Sequence, residues 1–344
     1  MNLQQKKKPI IILVSIMLVL SLTCVFYNQI NTWLIDVVAN NFNIVIRRDS
    51  LMVHFISVGQ GDAIAINLPD DKVMLIDTGP QDSSVTLTNY LNEKVLNTSR
   101  DDVIDYLILT HADADHIGGS LRVLQNFDVE NIYMPVFEND SIQFNSLISY
   151  VEENDYNIIE NLADIECFLD YSIDVFGPFE YTSSNDSCPV IKITYMGKSF
   201  LFTGDISSTV EDELILEYGG EIDCDVLKVA HHGSKYSTSL EFLEMVTPEY
   251  AVISCGQNSY GHPTDVVINN IYDVGATLFR TDQQGNILFV ESENYDLLML
   301  NDNYMINDFI LDYRFIILVI DVIIFVYLII LIVKNPKKRL KTGK

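Results

Sequence analysis

Two histidines and two aspartates fall within the six-residue segment HADADH, and these residue types hold divalent metal ions. Alternate side chains of an extended segment face the same side, so we expect His111 and Asp113 to bind one ion. Asp115 and His116 begin the next helix, and that turn directs them toward a second ion. Two ions about 3.5–4 Å apart hold a bridging water and lower its pKa toward neutrality. The spacing therefore predicts a hydrolytic two-ion centre.

Three further polar clusters stand where apolar runs end. Asp77 ends VMLIDTG, Asp205 ends SFLFTGD, and His231 and His232 follow DVLKVA. Rigid strands position the loops at their ends, where ligand and catalytic groups gather. Four strand ends that each carry Asp or His predict one shared metal site.

The motifs HADADH, LIDTG, FTGD and HHGS together resemble those of the metallo-β-lactamase superfamily. VGQGDA at 58–63 and YGHP at 260–263 narrow the resemblance to the metallo-β-lactamase-like domain of ComEC-type competence proteins. The resemblance covers the middle of the chain, roughly 50–295. It implies an α/β fold, an αββα metallo-β-lactamase-like sandwich.

The resemblance also implies roles for individual residues. Asp77 would orient the ligands from behind, Asp205 would bridge both ions, and His262 would lie near the substrate. The catalytic residues would be Asp115, Asp205 and His262. The metal ligands would be His111, Asp113, Asp115, His116, Asp205 and His231, with His232 as the alternative to His231 because either histidine could face inward.

The chain departs from the family pattern at two ligands. Asp113 replaces a histidine, and no histidine occurs from 117 to 230, where the family has a further ligand. The segment SNDSCPVIKI occupies that neighbourhood, so Asn185 or Ser187 is expected to contribute an oxygen. Carboxylate and water ligands favour hard ions. We therefore expect two divalent ions, Mn²⁺ in preference, with Zn²⁺ as the alternative.

Three other polar residues have open roles. Asp62 in VGQGDA is expected to approach the site from behind the ligands. Ser234, with the other hydroxyl residues after HHG, would either bind a substrate phosphate or cap the next helix. His54 is expected to pack in the core.

The periodicity of apolar residues predicts alternating strands and helices between these motifs. Strands are expected at 53–58, 63–68, 73–76, 104–110, 172–176, 190–196, 199–203, 225–230, 250–255, 277–280 and 286–290. Helices are expected at 84–96, 117–127, 141–153, 207–218, 239–246 and 264–273. This pattern predicts two sheets covered by helices.

Two long apolar stretches are predicted to be transmembrane helices, at 9–27 and 315–333. Lysines precede the first stretch and follow the second, on the side of the chain terminus in each case. Both termini are therefore expected in the cytoplasm and the domain outside. Cleavage of the first stretch as a signal peptide is the alternative. The predicted segments are cytoplasmic tails 1–8 and 334–344, connectors 28–49 and 296–314, and a hydrolase domain 50–295.

The region between the two stretches is strongly acidic. The chain has a formal net charge of −27, and residues 28–314 hold 12 basic against 47 acidic side chains. Nucleic-acid binding through a basic surface is therefore not expected. Four cysteines lie in this region without a CxxC pair, so a zinc knuckle is excluded and the disulfide state stays open.

We expect a membrane-anchored phosphodiesterase or nuclease that acts on DNA, with single-stranded DNA as the candidate substrate, through metal-bound hydroxide. A membrane channel partner would be needed for DNA uptake, because two spans cannot form a channel. An esterase for teichoic-acid or phosphorylcholine diesters of the envelope is the alternative enzyme. A non-catalytic partner module of a DNA-uptake complex is the alternative that the missing ligand suggests.

Overall fold

The computed structural model describes residues 50–96, 103–134, 140–167, 169–177, 183–292 and 295–301. The predicted spans 9–27 and 315–333 lie outside these residues, as do both tails and the first connector. No helix within the described ranges is long and apolar enough to cross a membrane.

The described strands form two mixed sheets. The first sheet has the order β14-β13-β1-β2-β3-β4-β5-β6 and the second β12-β11-β10-β9-β8-β7. In chain order the strands are β1 Ser50–Phe55, β2 Ile64–Asn67, β3 Val73–Ile76, β4 Val103–Ile108, β5 Asp128–Tyr133, β6 Asn157–Ile159, β7 Tyr171–Phe176, β8 Val190–Tyr195, β9 Lys198–Phe202, β10 Val226–Lys228, β11 Tyr250–Ile253, β12 Thr277–Arg280, β13 Ile287–Ser292 and β14 Tyr295–Asn301.

Helices follow most of the parallel strands. They are α1 Ser84–Tyr90, which continues as a π-helical turn over Leu91–Val95, α2 Ala114–Ile117, α3 Ser120–Asn126, α4 Ile142–Glu153, α5 Ser208–Tyr218, α6 Leu240–Val246, α7 Asp265–Asp273 and α8 Thr281–Gln284. Serine side chains fix two of the starts: Ser141 accepts from the Phe144 N–H and Ser239 from the Phe242 N–H.

Three apolar layers define an αββα sandwich. Side chains such as Phe55 and Phe200 fill the space between the sheets. Leu87 and Phe144 pack helices against the outer face of the first sheet, and Leu214 and Phe242 do so on the second. The predicted α/β sandwich is confirmed in its architecture.

Parallel pairing brings the predicted strand ends to one edge. β3 pairs in parallel with β4, and β10 pairs in parallel with both β9 and β11. Because these strands run in the same direction within each sheet, the residues that follow them emerge together. This edge carries the four polar clusters.

Of the predicted bounds that differ from the structure, one lies at the end of the domain and one lies beside the metal site. The first sheet continues past residue 295, since β14 pairs antiparallel with β13 where a connector was expected. The helix expected at 117–127 is divided into α2 and α3 at Gly118 and Gly119. These glycines pack against the Thr78–Gln81 turn, where a Cβ on Gly119 would lie 2.4 Å from the Thr78 carbonyl oxygen. Their small size serves this packing rather than an approach to the ions.

Candidate metal centre

Asp205 lies at the centre of the polar edge, in the loop after β9. Its Oδ2 is 3.9 Å from His111 Nε2 and 3.7 Å from His231 Nε2, and its Oδ1 is 3.4 Å from His116 Nε2. His232 Nε2 lies 3.6 Å from Oδ2. One buried carboxylate thus faces four histidines, as expected for a bridging ligand.

Asp77 holds His116 from behind. The His116 Nδ1–H donates to Asp77 Oδ2 at 2.7 Å, and the Thr110 N–H and hydroxyl donate to the two oxygens of the same carboxylate at 2.8 and 2.7 Å. A carboxylate on Nδ1 fixes the ring and leaves Nε2 free to bind a metal. This geometry suits the orienting role expected for Asp77.

The structure gathers His232, rather than His231, with the other ligand atoms. His232 Nε2 lies 3.4 Å from Asp115 Oδ2, and its Nδ1–H donates to the Ser254 carbonyl at 2.9 Å. His231 remains near Asp205, but its side chain is 32% exposed. Both residues adopt left-handed φ angles, 50° and 53°, so the chain turns sharply between them. Of the two histidines, His232 is therefore the one whose ring nitrogen joins the groups of candidate ligand atoms, and its role as a ligand stays a prediction.

Four overlapping groups of ligand atoms lie close enough to hold ions, each within 4.8 Å, among the described residues. They are His111–His116–Asp205, Asp115–His116–His232, Asp62–Asp77–His116 and Asp62–Asp205–His232. His111 Nε2, Asp205 Oδ1 and Asp62 Oδ1 are buried without a hydrogen-bond partner. Buried polar atoms without partners are costly unless a ligand satisfies them, so these residues fit divalent metal ions.

Asp113 stands apart from these groups. Its Oδ2 lies 3.7 Å from His111 Nε2, and its side chain is 44% exposed. Asp113 is thus at the rim of the site, within reach of an ion that His111 would bind.

The family model of the metallo-beta-lactamase superfamily matches residues 56–257, a range that includes all of these candidate ligands. The chain belongs to the metallo-beta-lactamase superfamily. The superfamily consists generally of metallohydrolases, and the candidate metal ligands of this chain agree with that family chemistry.

Competence proteins of the ComEC type are related to this metallo-beta-lactamase domain, which confirms the expected resemblance. ComE operon protein 3 of Bacillus subtilis (strain 168) is 32% identical over 256 residues, 69% of this chain and 32% of that protein. Competence protein ComA of Neisseria gonorrhoeae is 31% identical over 239 residues, 67% of this chain and 31% of that protein. The chain spans about a third of the length of these relatives. The metallo-beta-lactamase fold protein YhfI from Bacillus subtilis is 15% identical, covers 71% of this chain and 100% of its own, and gives a TM-score of 0.46.

A buried ion pair supports the metallo-beta-lactamase site and was missed from the sequence. Lys228 Nζ lies 2.6 Å from Asp62 Oδ2, and both side chains are buried. Asp62 also lies 3.4 Å from His232 Nδ1, as expected for a residue behind the ligands. The signal was the lysine in DVLKVA, because a lysine within a buried apolar strand requires a partner.

The neighbourhood of the absent family histidine holds a thiol. Cys188 Sγ lies 3.4 Å from His111 Nδ1, and Thr110 Oγ1 lies 3.1 Å from the same nitrogen. The Ser187 hydroxyl is turned inward and donates to the Ser184 carbonyl. Asn185 begins the short 3₁₀ turn Asn185–Ser187. Of this segment, Cys188 is the residue with a defined contact to an expected ligand.

The loop after HHGS is held by structural contacts. Ser234 is buried, and its hydroxyl accepts from the Tyr236 N–H within the loop. Its contact with a substrate phosphate stays a prediction. Glu211 on α5 accepts from the N–H groups of Thr238 and Ser239. Lys235 and Tyr236 are the exposed side chains of this loop. Outside the site, His54 is buried and bonded to Asn67, as expected for a packed histidine.

The buried carboxylates of the site favour positive charge on the groups around them. Burial alone would lower the pKa of His232, but the carboxylates of Asp205 and Asp62 outweigh it and raise this pKa to about 10. At His116 burial is likewise outweighed by Asp205 and Asp77, which raise its pKa well above the ordinary value. Burial would raise the pKa of Asp205, yet His232 and His116 hold it well below the usual range. Protons on the histidines thus balance the carboxylates wherever a metal cation does not.

Proposed function

We propose that this chain hydrolyses phosphodiester bonds in single-stranded DNA. The observation that carries the proposal is the buried Asp205 carboxylate facing four histidines, with further carboxylates at Asp113 and Asp115. Such a set suits two hard divalent ions, Mn²⁺ in preference and Zn²⁺ as the alternative. Bound ions would supply Lewis-acid stabilisation of the charge that develops on the phosphoryl oxygens. The relationship to competence proteins supports DNA as the substrate.

The residues of the chain have separable tasks in this proposal. Asp77 and the Ser254 carbonyl orient His116 and His232 by holding their Nδ1 atoms. Asp115, which is one-third exposed, stands at the open side, where its carboxylate would accept a proton from the attacking water. His262 packs against the His231 ring, with centroids 5.7 Å apart, and in this proposal it would contact the substrate phosphate.

The test is hydrolysis of end-labelled single-stranded DNA by the full chain with Mn²⁺, with Zn²⁺ and with EDTA. We expect Mn²⁺-dependent cleavage that falls at least about 100-fold in Asp205→Asn. The matched control is Asp174→Asn, since Asp174 is an exposed carboxylate on β7 and its loss leaves cleavage unchanged. Retained folding of both variants is checked by circular dichroism. Cleavage that persists in Asp205→Asn contradicts the proposal.

The charge of the chain favours one alternative substrate. With 12 basic against 47 acidic residues at 28–314, a diester that carries a cation would approach more easily than a polyanion. A phosphorylcholine diester has this character, including one that is carried on a teichoic acid of the envelope. Turnover of p-nitrophenyl phosphorylcholine without cleavage of DNA would favour this alternative.

We propose further that the domain is anchored in the membrane and lies outside it. The apolar stretches 9–27 and 315–333, each flanked by lysines, support this placement. A separate channel protein would then carry the DNA strand. Protease added to intact cells is expected to remove the domain; a domain that resists protease until the cells are lysed contradicts the placement.

A further inference from the structure

Tyr260 presents a large aromatic ring to solvent beside the metal centre. Its side chain is 74% exposed, although it belongs to a loop that packs against the site. An exposed aromatic ring buries little apolar surface, and its two faces form no hydrogen bonds with water. Exposed tyrosines also occur at Tyr236 and Tyr272, so it is the position of Tyr260 beside the metal centre that suggests a ligand.

The loop that carries Tyr260 is held rigidly by Asn258. The Asn258 Oδ1 accepts from the N–H groups of Tyr260, Gly261 and His262 at 3.0, 3.0 and 3.1 Å. Its Nδ2 donates to Gln60 Oε1 in the VGQGDA turn and to the His262 carbonyl. The backbone of Tyr260 is thus fixed before any ligand arrives, which reduces the entropic cost of binding.

The same loop is attached to the histidine loop. The Thr264 N–H and hydroxyl both donate to the Gly233 carbonyl, at 2.9 and 3.1 Å. A Cβ on Gly233 would lie 2.6 Å from Pro263 Cβ, so the two loops are in close contact. Tyr260 therefore keeps a fixed relation to His231 and His232.

A series of ring contacts leads from Tyr260 to the centre of the site. The Tyr260 and His262 rings are stacked, with centroids 5.9 Å apart and planes 23° apart. His262 meets His231 edge to face at 5.7 Å, and His231 Nε2 lies 3.7 Å from Asp205 Oδ2. One face of Tyr260 is covered by His262, and the other is open.

We propose that Tyr260 is a stacking platform for a nucleobase of the DNA strand, next to the phosphate that is cleaved. The inference rests on the proposed function and adds the mode of substrate recognition. In this acidic domain, lysine–phosphate contacts cannot supply most of the affinity, whereas stacking needs no charge and tolerates any base. One open face suits a planar base, while quaternary ammonium groups are held by cages of several rings.

The test measures binding rather than turnover. The full chain is titrated into fluorescein-labelled oligothymidine and into an abasic oligonucleotide of the same length, in EDTA and again in Mn²⁺ with phosphorothioate linkages. We expect Tyr260→Ala to weaken binding of oligothymidine about tenfold and to leave abasic binding unchanged. Tyr260→Phe keeps the ring and the affinity. Tyr272→Ala removes a tyrosine that is 59% exposed near the end of α7 and changes neither affinity.

Three outcomes would overturn the platform: equal losses on both oligonucleotides, no binding of oligothymidine by the unmodified chain, or displacement of oligothymidine by millimolar choline. Cleavage of end-labelled DNA is measured separately. A chain that binds bases through Tyr260 but does not cleave refutes the proposed function alone. A chain that cleaves DNA but binds oligothymidine and the abasic oligonucleotide with equal affinity refutes the platform alone.

Discussion

Lys228 and Asp62 form a buried ion pair behind the metal site, next to His232. Removing one member of a buried pair leaves an uncompensated charge, which costs about 3–5 kcal/mol. We expect Lys228→Met to lower the free energy of unfolding in urea by this amount, and Lys228→Met with Asp62→Leu to recover most of it. Lys198→Met is the control, because the Lys198–Asp225 pair is partly exposed and contributes about 1 kcal/mol or less. Equal losses in the two lysine variants would contradict the assignment.

Protons and metal ions compete at His232. Its pKa is raised from 6.5 to about 10, so without metal its protonated form stabilises the fold below pH 6.5, and this stability is lost as the pH rises toward 10. We expect the Tm in EDTA to fall between pH 7 and 10, and Mn²⁺ affinity to rise over the same range because binding releases the proton.

The control for this pH dependence is His54→Gln. Burial lowers the pKa of His54 to about 4, so this ring is neutral throughout the tested range. The slope of Tm against pH should persist in His54→Gln and diminish in His232→Gln. A slope that is the same in both variants would show that other groups titrate.

At the level of single residues, the ligand types were predictable and some partners were not. HADADH and FTGD identify their own ligands because the motif spacing fixes them. The choice between His231 and His232 depends on two left-handed φ angles that the sequence does not reveal. The contact of Cys188 with His111 depends on a tertiary approach across the site.

At the level of secondary-structure elements, prediction failed where strands are polar or short. Asp128–Tyr133 alternates exposed and buried positions with two acidic side chains, and Asn157–Ile159 has three residues. Both were missed, since neither has an apolar run long enough to detect. Five of the six predicted helices begin within one residue of their expected starts, whereas the helix expected at 117–127 is interrupted at Gly118 and Gly119.

The start of α3 couples helix packing to the metal site. A Cβ on Gly119 would lie 2.4 Å from the carbonyl oxygen of Thr78, the residue next to Asp77. We expect Gly119→Ala to destabilise the fold by about 1–3 kcal/mol and to weaken Mn²⁺ binding through displacement of Asp77. Thermal unfolding and Mn²⁺ titration measure the two effects.

The matched control is Gly220→Ala, because nothing lies within 4 Å of a Cβ at that position. It should leave metal affinity unchanged and alter stability by less than about 1 kcal/mol. A Gly119→Ala variant that behaves like Gly220→Ala would contradict the coupling.

For the whole molecule, the acidic balance sets the salt dependence of DNA binding. Release of counterions by Z neutralised phosphates of a single strand gives a slope of about −0.7Z in log affinity against log salt. With so few basic residues, we expect a slope no steeper than about −1.4 for oligothymidine. Fluorescence anisotropy from low to moderate salt measures it. A slope near that of basic DNA-binding proteins would indicate a lysine-lined path instead.

The candidate ligands come from opposite walls of the sandwich. His111 and His116 follow a strand of the first sheet, whereas Asp205 and His232 follow strands of the second. Each ion-binding group that contains Asp205 also contains a residue from the first sheet. The complete centre therefore requires that the two sheets pack together. A bound ion would consequently link the first sheet to the second. A chelator would then weaken the packing between the two sheets before it unfolds either sheet.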